Sequence, residues 1–151
     1  ICAMQRLNFP PAQFRFKNSE NKTLIFDPIR KKFIVLTPEE WVRQHVIALL
    51  QTHYQIPTTL ISVERQLKIN QLIKRFDLVV FNKNGSIFLL VECKAPEISI
   101  KQDTFDQIAR YNLHVQAQHL FVTNGLEHYF CKLDYARERF ELIPDLPAFG
   151  S

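Results

Sequence analysis

The stretch Asn84-Gly85-Ser86-Ile87-Phe88-Leu89-Leu90-Val91-Glu92-Cys93-Lys94-Ala95-Pro96 restricts the fold more than any other part of the chain. Ile87–Val91 is an uninterrupted apolar run, entered from Asn84-Gly85 and stopped by Pro96. Such a run reads as a central strand buried on both faces. Asn-Gly is the strongest short-range hairpin signal, so Arg75–Phe81 is expected to be the antiparallel partner. A strand buried on both faces needs cover above and below, which implies an α/β domain with a central mixed sheet flanked by helices.

The flanking sequence supplies those helices. Thr37-Pro38-Glu39-Glu40 reads as a helix start: Thr37 caps, Pro38 suits the first helical position and Glu40 completes a capping box. Val42, Val46, Leu49 and Leu50 follow at helical spacing, and the helix is expected to end near Thr52–Gln55, before Pro57. A second helix is expected from a cap at Asp103 or Thr104 to about Gln118. Further strands are expected at Leu60–Ile69, Leu120–Thr123, Tyr129–Leu133 and Arg139–Ile143. Ahead of the first helix, Phe14–Lys17, Leu24–Asp27 and Phe33–Leu36 read as short strands joined by turns. Residues 1–36 are therefore expected to form an N-terminal β-hairpin extension packed on a core of residues 37–151. At 151 residues and 46% hydrophobic composition this is one compact domain with a packed core.

Charged residues stand inside these apolar strands. Glu92 and Lys94 are two apart and share a face, while Cys93 points the other way. With Asn84 and Gly85 as the central turn residues, the simplest register sets Asp77 opposite Glu92, their Cβ atoms about 4.5–5.5 Å apart. Like charges so placed destabilise a sheet, and more so when dry. Lys94 can neutralise one carboxylate, and a divalent cation with hard oxygen ligands answers the rest. The plain alternative is a Glu92–Lys94 pair with Asp77 salt-bridged to Arg75.

Asp77 followed by Glu92-Cys93-Lys94 on the next strand resembles the core motif of the restriction-endonuclease-like, or PD-(D/E)xK, nucleases. "LTPEEWVRQHV", "RFDLVVF", "LLVECKAP", "FDQIARYN" and "FVTNG" occur in an order similar to the N-terminal nuclease domain of type I restriction enzyme R proteins. The resemblance spans about Phe26 to Phe130, and departs from the motif's name in having Phe76, not Pro, before Asp77. It implies a restriction-endonuclease-like core and a Mg²⁺-dependent endodeoxyribonuclease, with Mn²⁺ as a substitute. Asp77 and Glu92 would hold the metal, with the Cys93 backbone carbonyl as a further ligand, and Lys94 would orient water or stabilise developing charge. It also implies an acid of the first helix at the metal. Glu40 is the first choice, against its capping role, and Glu39 is the other. Arg43 would contact phosphate or pair with Glu40. On the second helix, Gln107 and Tyr111 lie on one face and resemble a QxxxY element bracing the catalytic residues or the DNA backbone. DNA is the implied partner, together with other subunits of a restriction-modification complex. The rival reading is a non-catalytic DNA- or partner-binding module of the same fold. A purely structural domain with a buried ion pair is a third.

Other chemistries find little support. Cys2, Cys93 and Cys131 are odd in number and widely spaced, against a disulfide framework or a cysteine zinc site. The five histidines show no metal-ligand spacing. No GxxxxGK[ST] occurs, so neither an ATP site nor the motor of a type I R protein is expected in this chain. No signal peptide or membrane-length apolar run is seen, and a cytoplasmic protein is expected. The net charge of +4 is uneven: residues 1–38 hold seven Lys/Arg against two acids, which suits a polyanion.

Overall fold

A computed structural model describes residues 4–150. Cys2 therefore lies outside the described residues, while Cys93 and Cys131 are free and buried. Three strands, β1 (Phe16–Ser19), β2 (Lys22–Asp27) and β3 (Lys32–Val35), form an antiparallel sheet. Its turns use left-handed backbone at Glu20, Asn21 and Lys31. Helix α1 (Pro38–Thr52) follows, then β4 (Ile61–Ile69), β5 (Leu72–Phe81), β6 (Ile87–Cys93), α2 (Gln102–Asn112), β7 (Ala117–Thr123), β8 (His128–Asp134) and β9 (Arg139–Ile143). The last six strands make one sheet in sequential order. Among the described strands only β6 and β7 pair in parallel, as expected where a helix crosses over between them.

The central strands separate two cores. Leu78, Val80, Leu89 and Val91 join Val42, Val46, Ile47 and Leu50 of α1. Val79, Leu90, Leu120 and Val122 join Phe105 and Ala109 of α2. The run Ile87–Val91 is thus covered on both faces by opposite helices, as its composition requires.

Three local expectations are corrected. The second helix ends at Asn112, not near Gln118, and Lys101 stands at its cap without a side-chain hydrogen bond. Asn112 is buried and donates to the Ile108 carbonyl, after which the chain turns, Val115 buries in that turn and Ala117 opens β7. The β5–β6 loop is longer than a two-residue turn: the Asn82 N–H donates to the Ser86 carbonyl and Gly85 takes φ +89°. A register shift between Val80 and Phe81 absorbs the extra residue, and Leu78 faces Val91 in the expected register, but the ladder ends there and does not pair Asp77 with Glu92. Finally, β5 begins at Leu72, because Asn70 and Gln71 both adopt positive φ and form a tight hairpin without glycine.

Candidate active site

The site lies where β5 and β6 meet the start of α1. Strand β5 would place Asp77 on the α2 side if alternation held from Leu78, but it does not. The β4–β5 ladder skips Glu64 and Asp77, and Glu64 has φ +51°. Phe76 packs with the α2 core and Leu78 with the α1 core. The break brings Asp77 to the α1 side, where its Oδ1 accepts from Arg43 Nη2 at 2.8 Å. Its Oδ2 accepts from the Cys93 backbone N–H at 2.8 Å, so the carboxylate sits against the Glu92–Cys93 peptide.

The expected shared face is not formed: Asp77 turns to the α1 side, whereas Glu92, between Val91 and Cys93 of the α1 core, turns to the α2 side, and the two take different counter-ions. Glu92 Oε1 accepts from Lys74 Nζ at 2.6 Å. Lys74 also lies over the rings of Phe76 and Tyr111, 4.9 and 4.3 Å from their centroids. Tyr111 therefore stands beside the Glu92 counter-ion, while Gln107 is exposed one turn earlier and has no hydrogen bond to Asp77, Glu92 or Lys94. The plain alternative from the sequence has its partners exchanged: Lys74 takes Glu92, Arg43 takes Asp77, and Arg75 pairs with Glu64. Lys94 is half-buried and has no salt bridge among the described residues. Cys93 packs its side chain into the α1 core, and burial pushes its thiol pKa well up, as expected of a packing residue.

The two acids at the head of α1 are distinguished by their partners. Glu40 is buried, and its carboxylate accepts from Arg43 at 2.5 Å, Arg30 at 3.0 Å and Gln44 at 3.0 Å. Thr37 Oγ1 accepts from the Glu40 N–H, so the cap forms, but the Glu40 carboxylate turns inward rather than closing a capping box. Glu39 is exposed. Partial burial and then the charge of Asp77 raise its pKa, against the opposing pull of Arg43 and Lys94. Glu39 thus feels the charges of both Asp77 and Lys94.

A buried ion network missed by the sequence reading underlies these groups. Asp27 is fully buried and accepts from the Ile29 and Arg30 N–H groups, from Arg30 Nε and from Gln44 Nε2. Arg30 reaches on to Glu40 and Glu64, and Arg43 joins Glu40, Glu64 and Asp77. Burial would lower the Arg43 pKa, but the hydrogen bond to Asp77 and the charges of Glu40 and Asp77 outweigh it, and the pKa rises. Asp27-Pro28-Ile29-Arg30 carries a readable turn signal, since Asp side chains accept from backbone N–H groups two or three residues on. The reach of Arg30 to Glu64 has no local signal.

The carboxylates of Asp77 and Glu92 are hard-oxygen donors of the kind Mg²⁺ takes, few in number because this ion keeps several waters. Among the described residues, no three His, Cys, Asp or Glu side chains group closely enough to hold a metal. A cation at Asp77 and Glu92 would thus rest on two carboxylates, and Lys74 would have to leave Glu92.

No helix of the described residues is long and apolar enough to cross a membrane. No curated protein matches the chain significantly. A family model described as the type I restriction enzyme R protein N terminus (HSDR_N) matches residues 38–147, which takes in α1, the whole six-stranded sheet and every residue of the candidate site from Glu39 to Tyr111. With well over half of its length so matched, the chain belongs to the type I restriction enzyme R protein N-terminal family.

Proposed function

We propose that the chain is a Mg²⁺-dependent endodeoxyribonuclease domain of a restriction system, with a restriction-endonuclease-like core and Mn²⁺ as an alternative ion. The observation that supports this best is the hydrogen bond from the Cys93 N–H to Asp77, which holds one carboxylate against the peptide that carries the other. Asp77, Glu92 and the Cys93 carbonyl would hold the ion, which would polarise a phosphodiester and lower the pKa of bound water. Lys94, free of a salt bridge, is the amine available to orient water or meet charge developing on the phosphate. The partners seen for Glu40 favour Glu39 as the helix acid nearest the ion, leaving Glu40 to hold Arg30 and Arg43 in place. Tyr111 would brace the far side through Lys74, and Gln107 is left facing solvent for the DNA backbone. DNA and the other subunits of a restriction-modification complex are the proposed partners, and the cytoplasm the proposed compartment.

The binding-module reading draws on one observation: Arg43 and Lys74 already neutralise both carboxylates. Supercoiled plasmid incubated with Mg²⁺ or Mn²⁺ separates the two. A nuclease nicks or linearises it, Glu92→Ala abolishes this, and Lys94→Ala slows it by about 10²-fold or more while leaving both acids. A parent protein that cleaves no DNA form with either ion belongs to the binding module instead.

A further inference from the structure

The β4–β5 hairpin extends from the site as a ribbon with two unlike faces. Leu67, Ile69 and Phe76 pack toward the α2 core. On the other face Lys68 pairs with Ile73 and Gln66 with Arg75, and all four side chains are exposed. Leu72 and Ile73 at the tip are 63% and 69% exposed, more than any other large hydrophobic among the described residues. Of the four cations in residues 64–76, Lys68 and Arg75 lie on this face, Arg75 paired with Glu64, whereas Arg65 and Lys74 lie on the α2 face, Lys74 paired with Glu92. Along this face the sequence of positions is Ile73, Arg75, Asp77, so the open surface runs directly into the candidate site.

We propose that this face of the β4–β5 ribbon is the surface on which duplex DNA docks beside the site, a proposal that rests on the nuclease-family reading above. A lone lysine on β4 would only guard an open sheet edge against pairing. An apolar tip flanked by cations serves that purpose badly, because exposed Leu72 and Ile73 invite association. The combination suits a nucleic acid. A two-stranded ribbon fits a major groove about 12 Å wide. Ile73 lies four residue steps from Asp77, a reach of about 13 Å along an extended strand, so the tip spans one groove from a phosphate held at the site. Lys68 supplies a phosphate contact, exposed Arg75 a second by exchanging Glu64 for phosphate, Gln66 can donate and accept at base edges, and Ile73 offers apolar contact to a thymine methyl or a wedge between base steps. The partner of opposite charge and the continuity with Asp77 both favour DNA over a protein strand added at the β4 edge.

The test is metal-free fluorescence anisotropy of the whole chain on a labelled duplex across a salt series. Lys68→Glu combined with Ile73→Ser should weaken binding about tenfold or more, and should reduce the slope of log K against log salt by about 1. Lys68→Gln alone should lower the slope by the same amount, with a smaller loss of affinity. Lys22→Glu with Lys32→Glu, on the outer sheet, is the control and should cost less. Thermal melts confirm that each variant is folded. If the ribbon variants bind like the parent, or the outer-sheet control loses more, the ribbon assignment is overturned while DNA remains the partner. If the parent itself binds no duplex, the DNA reading beneath the proposal fails instead.

Discussion

Removing the Arg43 side chain would take a cation from two carboxylates. Arg43 is buried against Glu40, which is itself buried and would keep Arg30 and Gln44, and against Asp77, which is partly exposed and would keep the Cys93 N–H. Breaking one side of such a pair costs about 3–5 kcal/mol, because the remaining charge stays desolvated. Arg43→Ala should therefore lower stability by about that amount in urea unfolding. Arg43→Met combined with Glu40→Gln should recover part of it, since the buried Glu40 charge is gone while the partly exposed Asp77 keeps its own. If Arg43→Ala unfolds at the parent's urea midpoint, Arg43 is not the keystone of the network. The residue scale also shows how far the sequence carries. The three-residue spacing of Glu40 and Arg43 is local, and so is their ion pair. The bond from Arg43 to Asp77 crosses from helix to strand, and only the folded chain reveals it. Lys74 was unreadable for the same reason, since its role depends on the twist of β5 against β6 and α2.

At the scale of the element, apolar runs and caps were legible and turns were less so. Thr37, Pro38 and the spacing of Val42, Val46 and Leu50 specify α1, and it forms as they require. The β4–β5 hairpin escaped because its turn lacks glycine: Asn70 and Gln71 hold φ +46° and +70°. Left-handed backbone costs a side-chain-bearing residue about 1–2 kcal/mol, less for Asn. Gln71→Gly creates the Asn-Gly pair that such two-residue hairpins prefer. The gain is partly offset by the greater freedom of glycine in the unfolded chain. A net stabilisation of about 0.5–1 kcal/mol is expected, visible as a higher urea midpoint with an unchanged slope. A lower midpoint would mean that the Gln71 side chain makes a contact worth more than the strain. The end of α2 was misread for a related reason: no Gly or Pro marks it, and only the fold shows that Asn112 closes the helix and that Val115 leads into β7 at Ala117.

Taken whole, the molecule is a sheet with one helix on each face and a small outer sheet joined to the head of α1 through Asp27, Arg30 and Gln44. Part of the basic surplus at the N-terminal end is used inside, since Arg30 belongs to the buried network, while Arg15 is exposed and lies over the Phe26 ring, 4.5 Å from its centroid. Two histidines report on how tightly the outer parts close. His45 is buried among Phe9, Phe14 and Trp41, and its Nδ1 donates to the Trp41 carbonyl. His119 is buried beside Phe88 and donates to the Phe88 carbonyl. Burial lowers both pKa values, outweighing these hydrogen bonds, and Lys132 adds to the effect at His119. The folded chain thus keeps both rings neutral to lower pH than the unfolded chain does. The stability they support is fully present above the unfolded value of about 6.5, and is lost as pH falls from there through the lowered folded values. Melting temperature should accordingly fall between pH 7.5 and 5.5, above the range where ordinary carboxylates titrate. His45→Leu with His119→Leu sacrifices two hydrogen bonds and so lowers the whole curve, but it should flatten the slope across that window. A double variant whose melting temperature falls with pH as steeply as the parent's would show that these two rings are not what opens the molecule in mild acid.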